Sequence, residues 1–121
     1  MTFEFDNNIP IYIQLVEQIK NKIISGELSS GERLPSVREL ALITKVNPNT
    51  MQKALTELEE AGLIFTERTN GKFVTKDESL ILKHKKELAD YLTQKYLDQM
   101  QKLGFGTFDT LEYIEKMKGN E

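Results

Sequence analysis

The spacing of helix-capping residues between Arg33 and Thr75 constrains this chain more than any other feature. Ser36 is followed three residues later by Glu39. This is the Ser-x-x-Glu spacing in which each residue caps the backbone of the other at a helix start. Asn47-Pro48 gives a second start signal, because Asn accepts from free amides at a helix N-terminus and Pro suits the first helical position. Two short helices therefore begin in close succession.

The second of these helices carries a single apolar stripe. Its apolar residues recur at intervals of three and four, the spacing of one buried helical face, at Met51, Ala54, Leu55, Leu58 and Ala61. Gly62 predicts the end of the helix, because glycine adopts the left-handed conformation that closes many helices. The same periodicity places on the outward face Asn49, Gln52, Lys53 and Thr56.

Two short runs rich in β-branched and aromatic residues follow, over residues 63–68 and 72–76. Thr69-Asn70-Gly71 joins them, and an Asn-Gly pair between such runs is a strong signal for a β-hairpin. Two helices in series followed by a hairpin are typical of a winged helix-turn-helix. In that fold the second helix reads DNA, while the first helix and the hairpin, or wing, reach the backbone. We predict an α+β, mostly helical fold.

A preceding helix completes the predicted DNA-binding domain. It begins after Ile9-Pro10, ends near Ser25-Gly26, and carries a stripe formed by Ile11, Leu15, Ile19, Ile23 and Ile24. We interpret this stripe as core packing beneath the two short helices. The first domain is therefore predicted to span residues 1–76.

The chain changes character after Lys76. No Gly or Pro occurs from Glu78 to Leu103, and the apolar spacing predicts one long amphipathic helix. Gly104 ends it, and Thr107 or Asp109 would cap a final short helix. This last helix could fold back against the long one through Leu111, Ile114 and Met117.

We predict that residues 77–121 form a C-terminal helical hairpin for dimerisation. A hairpin of this size offers too little core to outweigh its chain entropy, so it needs a partner, and a second copy is the simplest one. The residues expected in the interface are Ile81, Leu88, Leu92, Met100 and Leu103. The alternative is that the hairpin packs onto the DNA-binding domain.

The charge balance argues against nucleic acid until its distribution is considered. The net charge is −3, and residues 1–76 carry nine basic and ten acidic side chains. However, several basic residues fall on or beside the two short helices and the wing, namely Arg38, Lys45, Lys53, Arg68 and Lys72. A local positive face on an acidic protein can still hold phosphates.

Enzymatic and membrane functions find little support. The chain has no cysteine, and its one histidine, His84, lies among lysines without an obvious carboxylate partner. No cluster of residues has metal-ligand spacing. We therefore expect no enzyme, no cofactor and no metal site. The N-terminus lacks the features of a signal peptide and no apolar run is long enough to span a membrane, so we expect a cytoplasmic protein.

Residues 11–75 resemble the DNA-binding domain of the GntR family of bacterial transcription regulators. The family pattern runs from Gly-x-x-Leu-Pro-Ser-x-Arg-x-Leu-Ala through Val-x-x-x-Thr and Ala-Leu-x-x-Leu-x-x-x-Gly to a wing ending Gly-x-Phe-Val. It is matched by Gly31, Leu34, Pro35, Ser36, Arg38, Leu40, Ala41, Val46, Thr50, Ala54, Leu55, Leu58, Gly62, Gly71, Phe73 and Val74. The Asn47–Thr50 turn and the short C-terminal region are most similar to the YtrA subfamily.

The resemblance implies specific DNA contacts. Arg38 matches an arginine that touches a phosphate or a guanine, Thr50 a threonine on the backbone, and Gly71 a wing glycine in the minor groove. Gln52 stands where arginine is frequent, and Pro48 replaces an arginine that often contacts guanine. Together with the charged and amide residues above, the predicted DNA contacts are Arg38, Lys45, Asn47, Asn49, Thr50, Gln52, Lys53, Arg68, Asn70, Gly71 and Lys72.

Two hypotheses of different classes remain. In the first, a homodimeric regulator, expected to be a repressor of a transporter operon as the subfamily implies, binds a palindromic operator in double-stranded DNA. In the second, the winged helix is a protein-interaction module that oligomerises without DNA. The hydrogen-bonding residues Asn49, Gln52 and Lys53 favour DNA, because a protein-binding face would be apolar or aromatic at its centre. The sequence assigns no small-molecule effector.

Overall fold

The computed structural model describes residues 1–119. In chain order, the elements of this part are α1 (Ile11–Ile24), α2 (Val37–Thr44), α3 (Pro48–Glu60), β1 (Ile64–Glu67), β2 (Gly71–Val74), α4 (Glu78–Lys102) and α5 (Thr107–Gly119). The predicted α+β, mostly helical winged helix-turn-helix is therefore confirmed. Within residues 1–119, no helix is both long enough and apolar enough to cross a membrane.

The predicted caps of α2 and α3 are both formed. The Ser36 side chain accepts from the Glu39 amide at 3.1 Å, and the Glu39 carboxylate accepts in return from the Ser36 amide at 3.4 Å. The Asn47 side chain accepts from the Asn49 amide at 2.8 Å, and Pro48 opens α3. Each cap satisfies a backbone donor that the helix itself cannot pair.

The core of the N-terminal region lies where α3 packs against α1 and α2. Leu15, Ile19 and Ile23 from α1 are buried there with the α3 stripe and Val74 of the wing. Truncating one such leucine or isoleucine to alanine typically costs about 2–5 kcal/mol, so this cluster sets the stability of the fold. The prediction that Ala61 belongs to the buried stripe is wrong. Ala61 is exposed, because it is already the C-cap of α3.

The wing is a two-stranded antiparallel hairpin whose turn differs from the prediction. Glu67 pairs with Gly71, so the loop consists of Arg68, Thr69 and Asn70, and Gly71 opens β2 at φ +100°. The loop therefore has the predicted length of three residues but lies one position earlier than Thr69-Asn70-Gly71. Gly71 follows it with a positive φ, a conformation that glycine adopts with little strain.

Backbone contacts divide the chain into two compact units, Met1–His84 and a second unit that begins at Lys85. The first turn of α4 therefore belongs with the winged helix, and Ile81 packs against the core of that unit. The functional boundary predicted after residue 76 stays a prediction. Asp77 caps α4, since its carboxylate accepts from the Leu80 amide at 3.1 Å and from the Ser79 hydroxyl at 2.6 Å.

The second unit contains the rest of α4 and α5. Met100 and Thr110 are buried within it. The Phe105 and Tyr113 rings pack edge to face with their centroids 5.6 Å apart. The predicted caps of the last helix are wrong: α5 begins at Thr107, and the Gly106 carbonyl before it accepts the first helical hydrogen bond, from Thr110. The stripe expected to fold back is also wrong, because these residues are exposed: Leu111, Ile114 and Met117.

Candidate nucleic-acid interface

The exposed face of α3 begins with Asn49, Gln52 and Lys53. Because the Asn47 cap fixes the first turn, the backbone beneath Asn49 is held in place. Thr50, on the same turn, is half-buried. This face carries amide and ammonium groups, which can pair with base edges and phosphates.

Gln52 is oriented by its neighbour one turn later. Its amide nitrogen donates to the Thr56 hydroxyl at 3.2 Å, and that hydroxyl donates to the Gln52 carbonyl at 2.9 Å. The side chain therefore lies along the helix. A bidentate contact of Gln52 with adenine would exchange the Thr56 contact for the base.

Arg38 and Lys45 lie near opposite ends of α2, and both are exposed. Lys45 has φ +57°, in the left-handed region, and its amide donates to the Ala41 carbonyl to close the helix. It is the one non-glycine residue with positive φ in residues 1–119. The turn between α2 and α3 thus ends one helix on a lysine and starts the next on the Asn47 cap.

The tip of the wing carries Arg68 and Asn70, both exposed. The Asn70 amide nitrogen donates to the Glu67 carboxylate at 3.2 Å. Arg33 lies against Gly71, because a Cβ built on that glycine would sit 3.4 Å from the Arg33 Nε. Arg33 is one of the nine basic residues in positions 1–76 and is not among the predicted DNA contacts. Its backbone bridge to Phe73 in β2, which brings it to the wing, has no signal in local spacing.

Lys72, predicted to contact DNA, already has partners within the protein. Its ammonium lies 3.6 Å from the Glu59 carboxylate and donates to the Thr66 hydroxyl at 3.0 Å. Thr66 in turn donates to Glu59. This network joins the end of α3 to both strands of the wing. The Glu59 carboxylate compensates the positive charge of Lys72, whose side chain is only 16% exposed.

Tyr12 of α1 is a second residue that the sequence did not assign to the site. Its hydroxyl donates to the Glu57 carboxylate on α3 at 2.9 Å, and the Lys53 ammonium lies 5.3 Å from the centre of its ring. The hydrogen bond to Glu57 raises the pKa of Tyr12 above its usual value of 10.0, because the carboxylate favours the protonated phenol. Forty-five residues separate the two partners, so no local pattern reveals the contact.

The residues predicted for dimerisation lie in different environments. Leu92 and Leu103 are exposed and Leu88 is half-buried. Ile81 packs against the core of the first unit, and Met100 is buried in the second. Two of the five predicted interface residues are therefore already packed against other residues of the same chain.

Comparison with known proteins identifies the family. The family model of bacterial regulatory proteins, gntR family, matches residues 11–74. The chain belongs to the GntR family. It is therefore a DNA-binding transcriptional regulator, and the prediction of a protein that is not an enzyme is confirmed by the family to which it belongs. The matched range covers α1 to the end of the wing, the elements that carry the predicted DNA contacts.

Two curated relatives come from Bacillus subtilis. The chain is 36% identical to the uncharacterized HTH-type transcriptional regulator YhcF over 115 residues, which are 95% of each protein. It is 42% identical to the HTH-type transcriptional repressor YtrA over 76 residues, which are 63% of this chain and 58% of that protein. The similarity to the YtrA subfamily is thus confirmed, and the chain spans little more than half the length of YtrA itself.

Solved structures support the same assignment. A GntR family transcriptional regulator from Listeria monocytogenes superposes with a TM-score of 0.87 at 39% identity, covering 93% of this chain and 98% of that one. The DNA-binding domain of AraR, solved in complex with operator ORE1, superposes with a TM-score of 0.53 at 26% identity, covering 62% of this chain and 94% of that one. Operator complexes therefore occur among the structural neighbours.

Proposed function

We propose that this regulator is a homodimeric repressor that binds a palindromic operator, with α3 in the major groove and the wing in the minor groove. The observation that carries the proposal is the composition of the exposed α3 face. Asn49, Gln52 and Lys53 offer hydrogen bonds and charge there, with no exposed large apolar side chain among them. Such a face suits base edges and phosphates better than a protein partner.

The positive charges around α3 support the same docking. Arg38, Lys45 and Arg68 are exposed, and none of them takes part in an ion pair within residues 1–119. Arg33 adds a guanidinium beside Gly71 at the wing. Free cations placed on α2, on the wing and near the reading helix can neutralise phosphates along the groove, which would orient α3 above the bases.

Exposed apolar side chains of the second unit support the homodimer. Nine large apolar or aromatic residues of α4, α5 and their loop are at least 40% exposed, namely Tyr91, Leu92, Tyr96, Leu103, Phe108, Leu111, Tyr113, Ile114 and Met117. A soluble protein rarely leaves so many apolar groups in water without a partner. A second copy would cover them by twofold symmetry and would place two reading helices on one duplex.

The regulated genes are inferred from the subfamily. Several curated relatives are named repressors, YtrA among them, and the resemblance to the YtrA subfamily implies control of a transporter operon. A cytoplasmic location belongs to the same proposal, because an operator in a bacterium lies in the cytoplasm. No effector is assigned.

Selection of binding sites from random duplexes tests the proposed operator recognition. We expect the full-length protein to recover an inverted repeat whose half-site centres lie about 10 base pairs apart or a multiple of that distance. Light scattering of the complex should give two protein chains per duplex. Recovery of a single half-site would contradict the dimer, and failure to enrich any sequence would favour the protein-interaction alternative.

A further inference from the structure

Tyr12 lies between two residues of opposite charge on the reading helix. Lys53 and Glu57 are four positions apart in α3, a spacing at which such residues are neighbours on the helix surface. The Tyr12 hydroxyl donates to the Glu57 carboxylate, and its ring faces the Lys53 ammonium. One side chain from α1 therefore contacts both members of a potential ion pair.

That ion pair is not formed. Among the ion pairs of residues 1–119, none includes Lys53. A comparison within the same chain is available at Lys86 and Asp90, which have the same order and the same four-residue spacing on α4. Their ammonium and carboxylate meet at 2.9 Å although both side chains are well exposed. The spacing alone therefore permits pairing, and Tyr12 distinguishes the α3 pair from the α4 pair.

The contacts of Tyr12 explain why Lys53 stays unpaired. The uncharged phenol donates a hydrogen bond to Oε2 of the Glu57 carboxylate, which stabilises the carboxylate in that position without supplying a positive charge. The face of the ring attracts the Lys53 ammonium by a cation–π interaction, which leaves the positive charge in place. Each group thus has its own contact with Tyr12, and the Lys53 ammonium has no anionic partner within residues 1–119.

We propose that Tyr12 is a positioning residue for DNA binding, which holds Glu57 away from Lys53 and so keeps the Lys53 ammonium available to a phosphate of the operator. The inference rests on the proposed function, because it requires that α3 docks on DNA. It assigns to α1, which otherwise supplies core packing, a role in the electrostatics of the reading helix. Tyr12 itself touches no DNA in this arrangement.

The test is a set of full-length variants measured on the duplex recovered by the wild-type protein and on a random duplex of equal length. Tyr12→Phe keeps the ring over Lys53 but releases Glu57, which can then pair with Lys53. We expect affinity for both duplexes to fall about two- to threefold, since a surface ion pair at this spacing is weak. The slope of log affinity against log salt should become shallower by up to about one unit.

Two backgrounds separate this role from a merely structural one. In Lys53→Ala, adding Tyr12→Phe should change neither affinity nor salt slope, because the lysine that it protects is gone. In Glu57→Gln, adding Tyr12→Phe should also have no effect, because no carboxylate remains to capture Lys53. Lys53→Arg keeps the positive charge that Lys53→Ala removes. In this background, adding Tyr12→Phe should again lower the affinity and the salt slope.

A measurement without DNA checks the contact directly. NMR of the free protein should show the Lys53 Cε chemical shift displaced by the ring current of Tyr12. In Tyr12→Phe this chemical shift should change, because the ammonium moves to form an ion pair with Glu57. Equal losses from Tyr12→Phe in wild type and in Lys53→Ala would overturn the proposal, as would no loss in wild type. If wild type enriches no duplex at all, the proposed function itself fails, whereas the NMR result still decides the contact.

Discussion

In the proposed docking on DNA, Pro48 leaves base contacts to its neighbours in α3. Proline fixes φ and donates no hydrogen bond, so this residue starts the helix but cannot make the guanine contact that family resemblance attributes to an arginine there. Asn49 and Gln52 are the next exposed residues with donor and acceptor groups. Both amides match adenine in the major groove, which favours an operator with A·T pairs at these positions.

Gln52→Ala should therefore lower affinity at the selected operator by about 1–3 kcal/mol and leave binding to a random duplex nearly unchanged. The reason is that the amide contributes a base contact and no charge. Fluorescence anisotropy on both duplexes measures the difference. Lys53→Ala is the control, since loss of a phosphate contact should weaken both complexes alike. Should repeated site selection with Gln52→Ala recover the wild-type consensus, specificity would lie in Asn49, the wing or DNA shape.

Side-chain contacts join α3 to the wing. Glu59 near the end of α3 contacts Lys72 of β2 and Thr66 of β1. The Phe65 and Phe73 rings stack across the two strands with their centroids 5.5 Å apart, which joins the strands to each other. Because Lys72 already has an anionic partner, Arg68 and Arg33 are the better sources of wing charge for phosphates.

The start of α4 gives a prediction about pH. The Ser79 hydroxyl and then the Leu80 amide hold the pKa of Asp77 below its usual 3.8, because both donate to the ionised carboxylate. A depressed pKa in the folded state contributes stability that is present above 3.8 and is lost as pH falls through the lowered pKa. The free energy of unfolding of wild type should therefore exceed that of Asp77→Asn at neutral pH, and the difference should vanish in acid.

Urea unfolding of both proteins, in steps from neutral pH to about pH 2, measures this difference. Asn keeps an acceptor for the Leu80 amide but carries no charge, so the comparison isolates ionisation from capping. A difference that stays constant with pH would show that the Asp77 charge does not contribute.

Local sequence was sufficient for the elements and insufficient for the contacts between them. The caps at Ser36 and Asn47 depend on residues at most three positions away, and the stripes of α1 and α3 depend on helical period, so both were predictable. The Tyr12 contact with Glu57 and the network around Glu59 depend on how separate elements pack. The predicted loop of the wing is one position too late, because the Asn-Gly pair does not show whether its glycine belongs to the loop or opens the second strand.

The proposed homodimer depends on the exposed apolar side chains of α4 and α5. Leu92 is 55% exposed and Leu103 is 72% exposed in the single chain, and both belong to the stripe that the sequence assigns to the interface. Ile81 packs instead on the core of the first unit. The proposed dimer surface therefore starts beyond the first turn of α4.

Leu92→Lys should convert the dimer to a monomer or weaken it strongly, because it places a charge in an apolar interface. Operator affinity should fall with it, since two half-sites would no longer be tethered at high effective concentration. Light scattering and anisotropy give the two readouts. Gln94→Lys is the control: it adds the same charge two residues away, on nearly the opposite side of the helix. A Leu92→Lys protein that remains dimeric would place the interface elsewhere.

The contacts that α3 makes with α1 and the wing also determine how the DNA specificity of α3 can be replaced by that of another regulator. A designer who grafts the exposed α3 residues of another regulator onto this scaffold would keep Tyr12, Thr66 and Lys72 in place. If the graft replaced Glu57, the Tyr12 phenol would lose its acceptor. If it replaced Glu59, the Thr66 hydroxyl would lose its acceptor and the Lys72 ammonium its ion-pair partner, which would weaken the link between α3 and the wing. Chimeras that preserve both glutamates should therefore transfer a new binding preference more faithfully than chimeras that exchange the complete helix.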